Sequence, residues 1–78
     1  MKILFFGHLK DITGCGETLL RGSDTDADGV WRALLQAYPG LNPSRRMVRL
    51  ARNSEYVGPE ARFQDTDEVA LIPPVSGG

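Results

Sequence analysis

The strongest apolar runs lie near the two ends of the chain. Residues 2–9 (KILFFGHL) are apolar over the length of a strand and rich in Ile and Phe, and residues 68–72 (EVALI) form the second run. Both runs predict β-strands. Pro73 and Pro74 cannot donate to a sheet ladder, so the last strand should end before them. Because these two runs are the most apolar, we expect them to pair in parallel at the centre of a sheet.

Three shorter segments predict further strands. They are ETLLR at residues 17–21, MVRLAR at residues 47–52 and EYV at residues 55–57. A loop with two glycines precedes the first of them, which suggests an N-terminal hairpin with residues 2–9. The dipeptide Asn53-Ser54 is typical of a turn and joins the other two.

One segment, residues 26–38, has the pattern of a helix. Asp26 is a suitable N-cap, and Asp28 places a negative charge in the first turn. Apolar residues recur at spacings of three and four and form one broad face. They are Val30, Trp31, Leu34, Leu35, Ala37 and Tyr38. Pro39-Gly40 should end this helix, the only one that the pattern supports. Together the elements predict an α+β fold, in which one main helix crosses one face of a mixed sheet of about five strands.

Composition limits the function. The chain has 78 residues, 41% hydrophobic content and a formal net charge of −1. It should form one small domain with little room for an internal catalytic cavity, so function should lie on the surface or at an end. A charge near zero does not favour nucleic acid or anionic membranes as partners. No run approaches the roughly 20 apolar residues of a membrane span, so we expect a cytoplasmic protein.

The usual catalytic and metal-binding residues are scarce. Cys15 is the single cysteine, which excludes an internal disulfide and a cysteine-based zinc site. His8 is the single histidine, and no Ser-His-Asp set can be argued from it alone. Cys15 is interpreted as a small residue in a turn. The glycines at positions 14 and 16 lack the Gly-Lys-Ser/Thr of a phosphate-binding loop, so we expect no bound cofactor and no ATP site.

Two surface features remain. Phe5-Phe6 and Leu71-Ile72 are neighbours in predicted strands, so one member of each pair should face away from the helix. Phe6, Ile72 and Tyr56 would then form a docking patch, although loops of the chain itself could cover it. A basic cluster comprises Arg45, Arg46, Arg49 and Arg52. It is interpreted as a solvated strand or one that protects a sheet edge, and the alternative is docking to an acidic partner.

The sequence as a whole resembles the small subunits of molybdopterin synthase, which are ubiquitin-like β-grasp sulfur carriers. The matching segments are ILFFGHLKDITG near the start, LLQAYPGL in the helix, RNSEYV in the middle hairpin and DEVALIPPVSGG at the end. They span nearly the whole chain, and the Pro-Pro-Val-x-Gly-Gly ending is the most specific of them. One departure is Thr66, where many relatives have glycine, and it bears on the backbone of that turn.

The resemblance implies a β-grasp domain at residues 1–74 and a flexible tail at residues 75–78. In such carriers an ATP-dependent adenylating (E1-like) enzyme activates the terminal carboxylate, here that of Gly78. A sulfur donor, such as a cysteine desulfurase or a rhodanese, converts it to a thiocarboxylate that delivers sulfur to the pterin precursor. Gly77 lacks a Cβ and would pass through a narrow channel, while Val75 and Ser76 add little bulk.

The same resemblance implies that the chain is not catalytic alone and that a large subunit binds the pterin. Pro73 and Pro74 would keep the root of the tail extended and, with the docking patch, contact that subunit. Two alternatives stay open. One is a sulfur carrier for thiamine or for tRNA thiolation, and the other is a ubiquitin-like modifier that forms an isopeptide bond through Gly78.

Overall fold

The computed structural model describes residues 1–22 and 24–74 and contains a mixed five-stranded sheet with one main helix across one face. The α+β architecture predicted from the sequence is therefore confirmed. Predictions made for Val75, Ser76, Gly77 and Gly78 fall outside the described residues, as does the boundary between the domain and the tail.

The described residues form seven strands, and five of them make up this sheet. The strands are β1 (Lys2–Phe5), β2 (Glu17–Leu19), β3 (Thr25–Asp26), β4 (Arg49–Arg52), β5 (Glu55–Tyr56), β6 (Arg62–Phe63) and β7 (Glu68–Ile72), and the α-helices are α1 (His8–Thr13) and α2 (Ala27–Ala37). The order in the sheet is β2-β1-β7-β4-β5, while β3 and β6 form a separate pair that the sequence pattern did not predict. The two most apolar strands, β1 and β7, are central and parallel as expected, with Phe5 opposite Leu71.

The first strand is shorter than predicted, and a second helix follows it. The prediction of one strand over residues 2–9 is wrong beyond Phe5, because Gly7 takes a φ of 58° and a ψ of −137° that turns the chain out of the sheet. Leu9 then reaches the core from α1 and is fully buried. A short apolar run of this kind does not distinguish a buried strand from a buried helix. The N-terminal hairpin is confirmed, since β2 pairs antiparallel with β1, but α1 lies in its connection.

The main helix follows its sequence signals closely. The Asp26 side chain accepts a hydrogen bond of 2.8 Å from the Gly29 backbone N–H, as expected of an N-cap. The α-helix ends at Ala37, and a 3-10 helix continues over Pro39–Ser44. In the part of the chain that the structure describes, neither α-helix reaches the length and apolarity that a membrane crossing requires.

The core lies between α2 and one face of the sheet. Its fully buried side chains are Ile3, Phe5, Leu9, Val30, Leu34, Leu41, Phe63, Val69 and Leu71. In β1 and β7 these residues alternate with Leu4, Ala70 and Ile72, which point to the opposite face because successive strand residues point in opposite directions. The sheet therefore separates a filled face from a face that no helix of the described chain covers.

Turn conformations explain two local features. Asn53 and Ser54, with φ of 50° and 74°, form the two-residue turn that the sequence predicted between β4 and β5. Among the described residues, Thr66 is not one of those with positive φ. Its turn therefore does not require glycine at this position, and the Asp67 carboxylate accepts a 2.7 Å hydrogen bond from the Gln64 N–H to close it.

Candidate functional site

The uncovered face of the sheet carries the three apolar residues predicted for docking. Phe6 is 43% exposed and Tyr56 is 62% exposed, whereas their neighbour Phe5 is buried. With the half-buried Ile72 they line a shallow groove of about 310 Å³, which also contacts Leu4, Ala51 and Ala70. Loops of the described chain do not fill this groove. We call Phe6, Tyr56 and Ile72 the apolar face, and it has the aromatic content typical of a protein interface.

The root of the tail joins this face directly. Pro73 and Pro74 follow the last paired residue, Ile72, and line a second groove of about 220 Å³ beside Tyr56. The same groove contains Met47 and Arg49, which sequence reasoning did not place there. Met47 is 63% exposed and precedes β4, although the sequence pattern predicted it as the first residue of that strand. The structure thus brings together every described residue predicted to contact a partner.

Gly7 packs closely against Pro73, the first residue of the tail root. A Cβ added at Gly7 would lie 3.3 Å from Cγ of Pro73, which is closer than ordinary van der Waals contact. Its φ of 58° with ψ of −137° also lies outside the left-handed region that other residues can enter. Glycine is therefore required at position 7 for two reasons. The backbone conformation disfavours other residues, and the close approach of Pro73 leaves little room for a Cβ.

We expect Gly7→Ala to lower the free energy of unfolding by about 1–3 kcal/mol, which is typical of a residue forced into a sparsely populated conformation. Gly14 provides the matched control, because its φ of 78° is left-handed but nothing lies within 4 Å of its added Cβ. Gly14→Ala should cost less, about 1–2 kcal/mol. Chemical denaturation of both variants measures the difference. Equal losses would show that the approach to Pro73 contributes nothing.

The four arginines of the basic cluster do not form one patch. The strand that carries Arg49 and Arg52, β4, lies between β7 and β5, so the interpretation that it protects a sheet edge is wrong. Arg52 lies 6.0 Å from the Phe63 ring centroid and donates to the Arg62 carbonyl. Arg49 instead lies 5.8 Å from the Tyr56 ring centroid, on the uncovered face. Arg46 is exposed in the turn before this strand.

Arg45 belongs to a separate ion-pair network on α2. It contacts Asp28 and lies 5.9 Å from the Trp31 ring centroid. Arg32 also contacts Asp28, at 2.6 Å. Hydrogen bonds from Arg32 and then Arg45 hold the pKa of the Asp28 carboxyl below its ordinary value. Asp28 and Arg32 are exposed and Arg45 is half-buried, and none of the three lines the groove at Pro73.

His8 and Cys15 lie outside both grooves. His8 is exposed at the first position of α1. Cys15 is half-buried, and its Sγ lies 3.7 Å from the Tyr38 hydroxyl and 3.8 Å from Oγ1 of Thr13. Both neighbours are uncharged side chains. The arrangement agrees with the interpretation of Cys15 as a packing residue in a turn.

Comparison with known proteins adds three findings. A family model described as the ThiS family matches residues 3–78. A molybdopterin synthase sulfur carrier subunit from Caenorhabditis briggsae is 37% identical over 81 residues, covering 100% of this chain and 96% of that protein. Among solved structures, small archaeal modifier protein 1 from Haloferax volcanii superimposes with a TM-score of 0.81 at 27% identity, covering 100% of this chain and 98% of that one.

A further solved structure is a complex. It contains subunits 1 and 2 of the molybdopterin-converting factor from Helicobacter pylori, and the matched chain superimposes with a TM-score of 0.71 at 27% identity. The match covers 99% of this chain and 96% of that one. The similarity extends over the whole length in each case, so it includes both the sheet and the segment that follows it.

Proposed function

Because the chain belongs to the ThiS family, we propose that it is the sulfur carrier subunit of a molybdopterin synthase. The observation that carries the proposal is the full-length similarity to relatives of that name. An exposed apolar face beside Pro73 and Pro74 supports it, because a carrier must dock and extend its tail at the same place. The solved two-subunit complex of a similar chain supports assembly with a second subunit.

In the proposed mechanism, the reacting atom belongs to the carboxylate of Gly78. A carboxylate is a poor electrophile because its charge is delocalised, so a partner enzyme first uses ATP to convert it to an acyl-adenylate. A persulfide sulfur on the donor then displaces AMP and forms an acyl disulfide. A thiol of the donor reduces this S–S bond, which leaves a disulfide on the donor and releases a thiocarboxylate whose sulfur is a nucleophile. This chain supplies no group that activates the carboxylate, and its contribution is to present the tail.

Each partner is assigned one task. The large subunit binds the pterin precursor and receives the tail, while docking on the apolar face holds the two subunits together. The adenylating enzyme supplies the ATP site, so this chain requires no cofactor of its own. The sulfur donor is a cysteine desulfurase or a rhodanese. The subunit alone should therefore be inactive as a sulfurtransferase.

A second candidate function is covalent protein modification. The similarity to small archaeal modifier protein 1, at 27% identity over the whole chain, favours it. Both functions begin with an activated Gly78 and differ in the acceptor, which is sulfur for a carrier and a lysine amine for a modifier. A sulfur carrier for thiamine or tRNA thiolation is the alternative within the first chemistry, and it differs in the protein that receives the sulfur.

Intact-mass measurement of the protein from its native cell tests the proposal. We expect a fraction of molecules in which one oxygen of the Gly78 carboxylate is replaced by sulfur, and co-purification of a pterin-binding large subunit. Gly78 found joined to lysine side chains, without thiocarboxylate, would instead establish the modifier. Thiocarboxylate with a thiazole-forming or tRNA-thiolating partner would contradict the molybdopterin assignment alone.

We expect Cys15→Ser to retain sulfur loading and sulfur transfer within about twofold, because its nearest polar neighbours, Thr13 and Tyr38, are uncharged side chains. The serine hydroxyl replaces a thiol of similar size. Loading is measured by mass spectrometry and transfer by product formation with the large subunit. A variant that is loaded normally at Gly78 but fails to transfer sulfur would show that the thiol takes part.

A further inference from the structure

Arg49 has an unusual position on the uncovered face. Its backbone pairs with that of Ile72, the last residue before the tail root, and its guanidinium lies 5.8 Å from the Tyr56 ring centroid. It also lines the groove that contains Met47, Pro73 and Pro74. A positive charge is therefore held within a mainly apolar surface at the point where the tail begins.

This guanidinium has no carboxylate partner in the described residues. Four other cations of the described chain have a carboxylate partner: Arg32 and Arg45 with Asp28, Arg62 with Asp24, and Lys2 with Glu17. Lys10, Arg21, Arg46 and Arg52 also have none among the described residues, but of the unpaired cations only Arg49 lines the groove at Pro73. Tyr56 orients Arg49 through its ring but leaves the N–H donors of the guanidinium available. A stacked arginine keeps its fork geometry with less loss of conformational freedom on binding.

Docking would remove water from Arg49 together with its apolar neighbours. A buried guanidinium without an acceptor would lose its hydration with nothing to replace it, which would oppose association. A carboxylate that accepts two parallel hydrogen bonds offsets this cost and fixes the orientation of the partner. The apolar face alone would bind many hydrophobic surfaces. Arg49 favours those that carry an acidic side chain opposite its guanidinium.

We propose that Arg49 determines partner specificity by donating paired hydrogen bonds to an Asp or Glu carboxylate of the large subunit at the root of the tail. This inference rests on the proposed function, because it names the chemistry of the surface that docks there. The carboxylate lies opposite the groove between Tyr56 and Pro73, so a correct pairing aligns the tail with its entry channel. A hydrophobic surface without an acid at this position binds weakly.

Binding of the purified large subunit to variants of the full chain tests the inference. Arg49→Glu should weaken binding by about 100-fold or more at low salt, because two carboxylates would then face each other. Arg49→Ala should weaken it by about 30-fold, and Arg49→Lys by less, because the charge is kept but the paired hydrogen bonds are lost. Raising the salt concentration should weaken binding of the wild type and strengthen that of Arg49→Glu.

The matched control is Arg21→Glu, which makes the same change of charge. Arg21 is exposed and lies near Met1 and Asp65, at the end of the sheet away from the tail. Arg21→Glu should change the dissociation constant by no more than about twofold, as expected for a distant surface charge at moderate salt. A thermal melt of each variant checks that the fold is kept. If Arg49→Glu lowers the melting temperature, the comparison is made with Arg49→Ala instead.

Replacing each acidic surface residue of the large subunit by lysine completes the test. One such replacement should restore binding of Arg49→Glu while weakening binding of the wild type. If Arg49→Glu and Arg21→Glu bind equally well, or if no replacement restores binding, the inference is wrong while the proposed function stands. If the wild-type chain itself does not bind the large subunit, the proposed function and the inference both fail.

Discussion

Removal of Gly77 and Gly78 should abolish sulfur transfer while changing the free energy of unfolding by no more than about 0.5 kcal/mol, the usual range for surface changes. The described core ends with Leu71, and strand pairing ends at Ile72. Residues beyond Pro74 are not needed to complete the sheet. The deletion nevertheless removes the carboxylate that has to be activated. A thermal melt is measured beside an ATP-dependent adenylation assay and a sulfur-transfer assay.

Two further variants separate the position of the carboxylate from the composition of the tail. One extra glycine after Gly78 should also abolish activity, because a displacement of about 1 Å can already cost on the order of 100-fold in rate. Ser76→Ala, which leaves the terminal carboxylate in place, should remain active. Sulfur transfer retained by the deletion would contradict the carrier function. A large decrease in melting temperature would show that the tail packs against the domain.

Phe6→Asp and Ile72→Asp should weaken assembly with the large subunit by at least about 30-fold while the domain stays folded. Phe6 is 43% exposed in the free chain, so a charge there remains solvated until docking covers it. An unpaired charge in an interface core then costs about 2–5 kcal/mol. The dissociation constant from calorimetry, together with a thermal melt of each free variant, measures the two effects separately.

Substitutions at two other residues of the same chain serve as controls for this prediction. Ile12 in α1 is 39% exposed, close to Phe6, but lies outside the two grooves at the tail. Ile12→Asp should leave assembly unchanged within about twofold, as for other surface changes. Phe5 is 1% exposed, so Phe5→Asp should prevent folding. Equal weakening by Ile12→Asp and Phe6→Asp would show that docking does not use the apolar face.

Carrier and modifier functions place the same demand on this surface. Each needs a docking face next to the origin of the tail, because an activating enzyme has to bind the domain and reach its terminal residue together. The apolar face and the groove at Pro73 meet that demand. Both features are compatible with either acceptor, and the mass measurement of Gly78 distinguishes sulfur from lysine.

Local patterns in the sequence determined the main elements. The N-cap at Asp26, the apolar periodicity of α2 and the prolines after Ile72 each act over a few residues, so they predicted the helix and the last strand closely. Alternation along the strands also predicted that Phe5 would be buried and Phe6 exposed. The ending PPVSGG, recognised through its resemblance to known carriers, indicated the chemistry.

Tertiary structure alone decided how distant segments meet. The sequence does not show that Gly7 turns the chain into α1, because its conformation depends on the packing of Leu9 into the core and on the proximity of Pro73. It also does not show that β4 is internal, which depends on its pairing with β7. That pairing places Arg49 beside Ile72 at the root of the tail. Such contacts join residues far apart in the chain, so a local sequence pattern does not reveal the interactions that stabilise them.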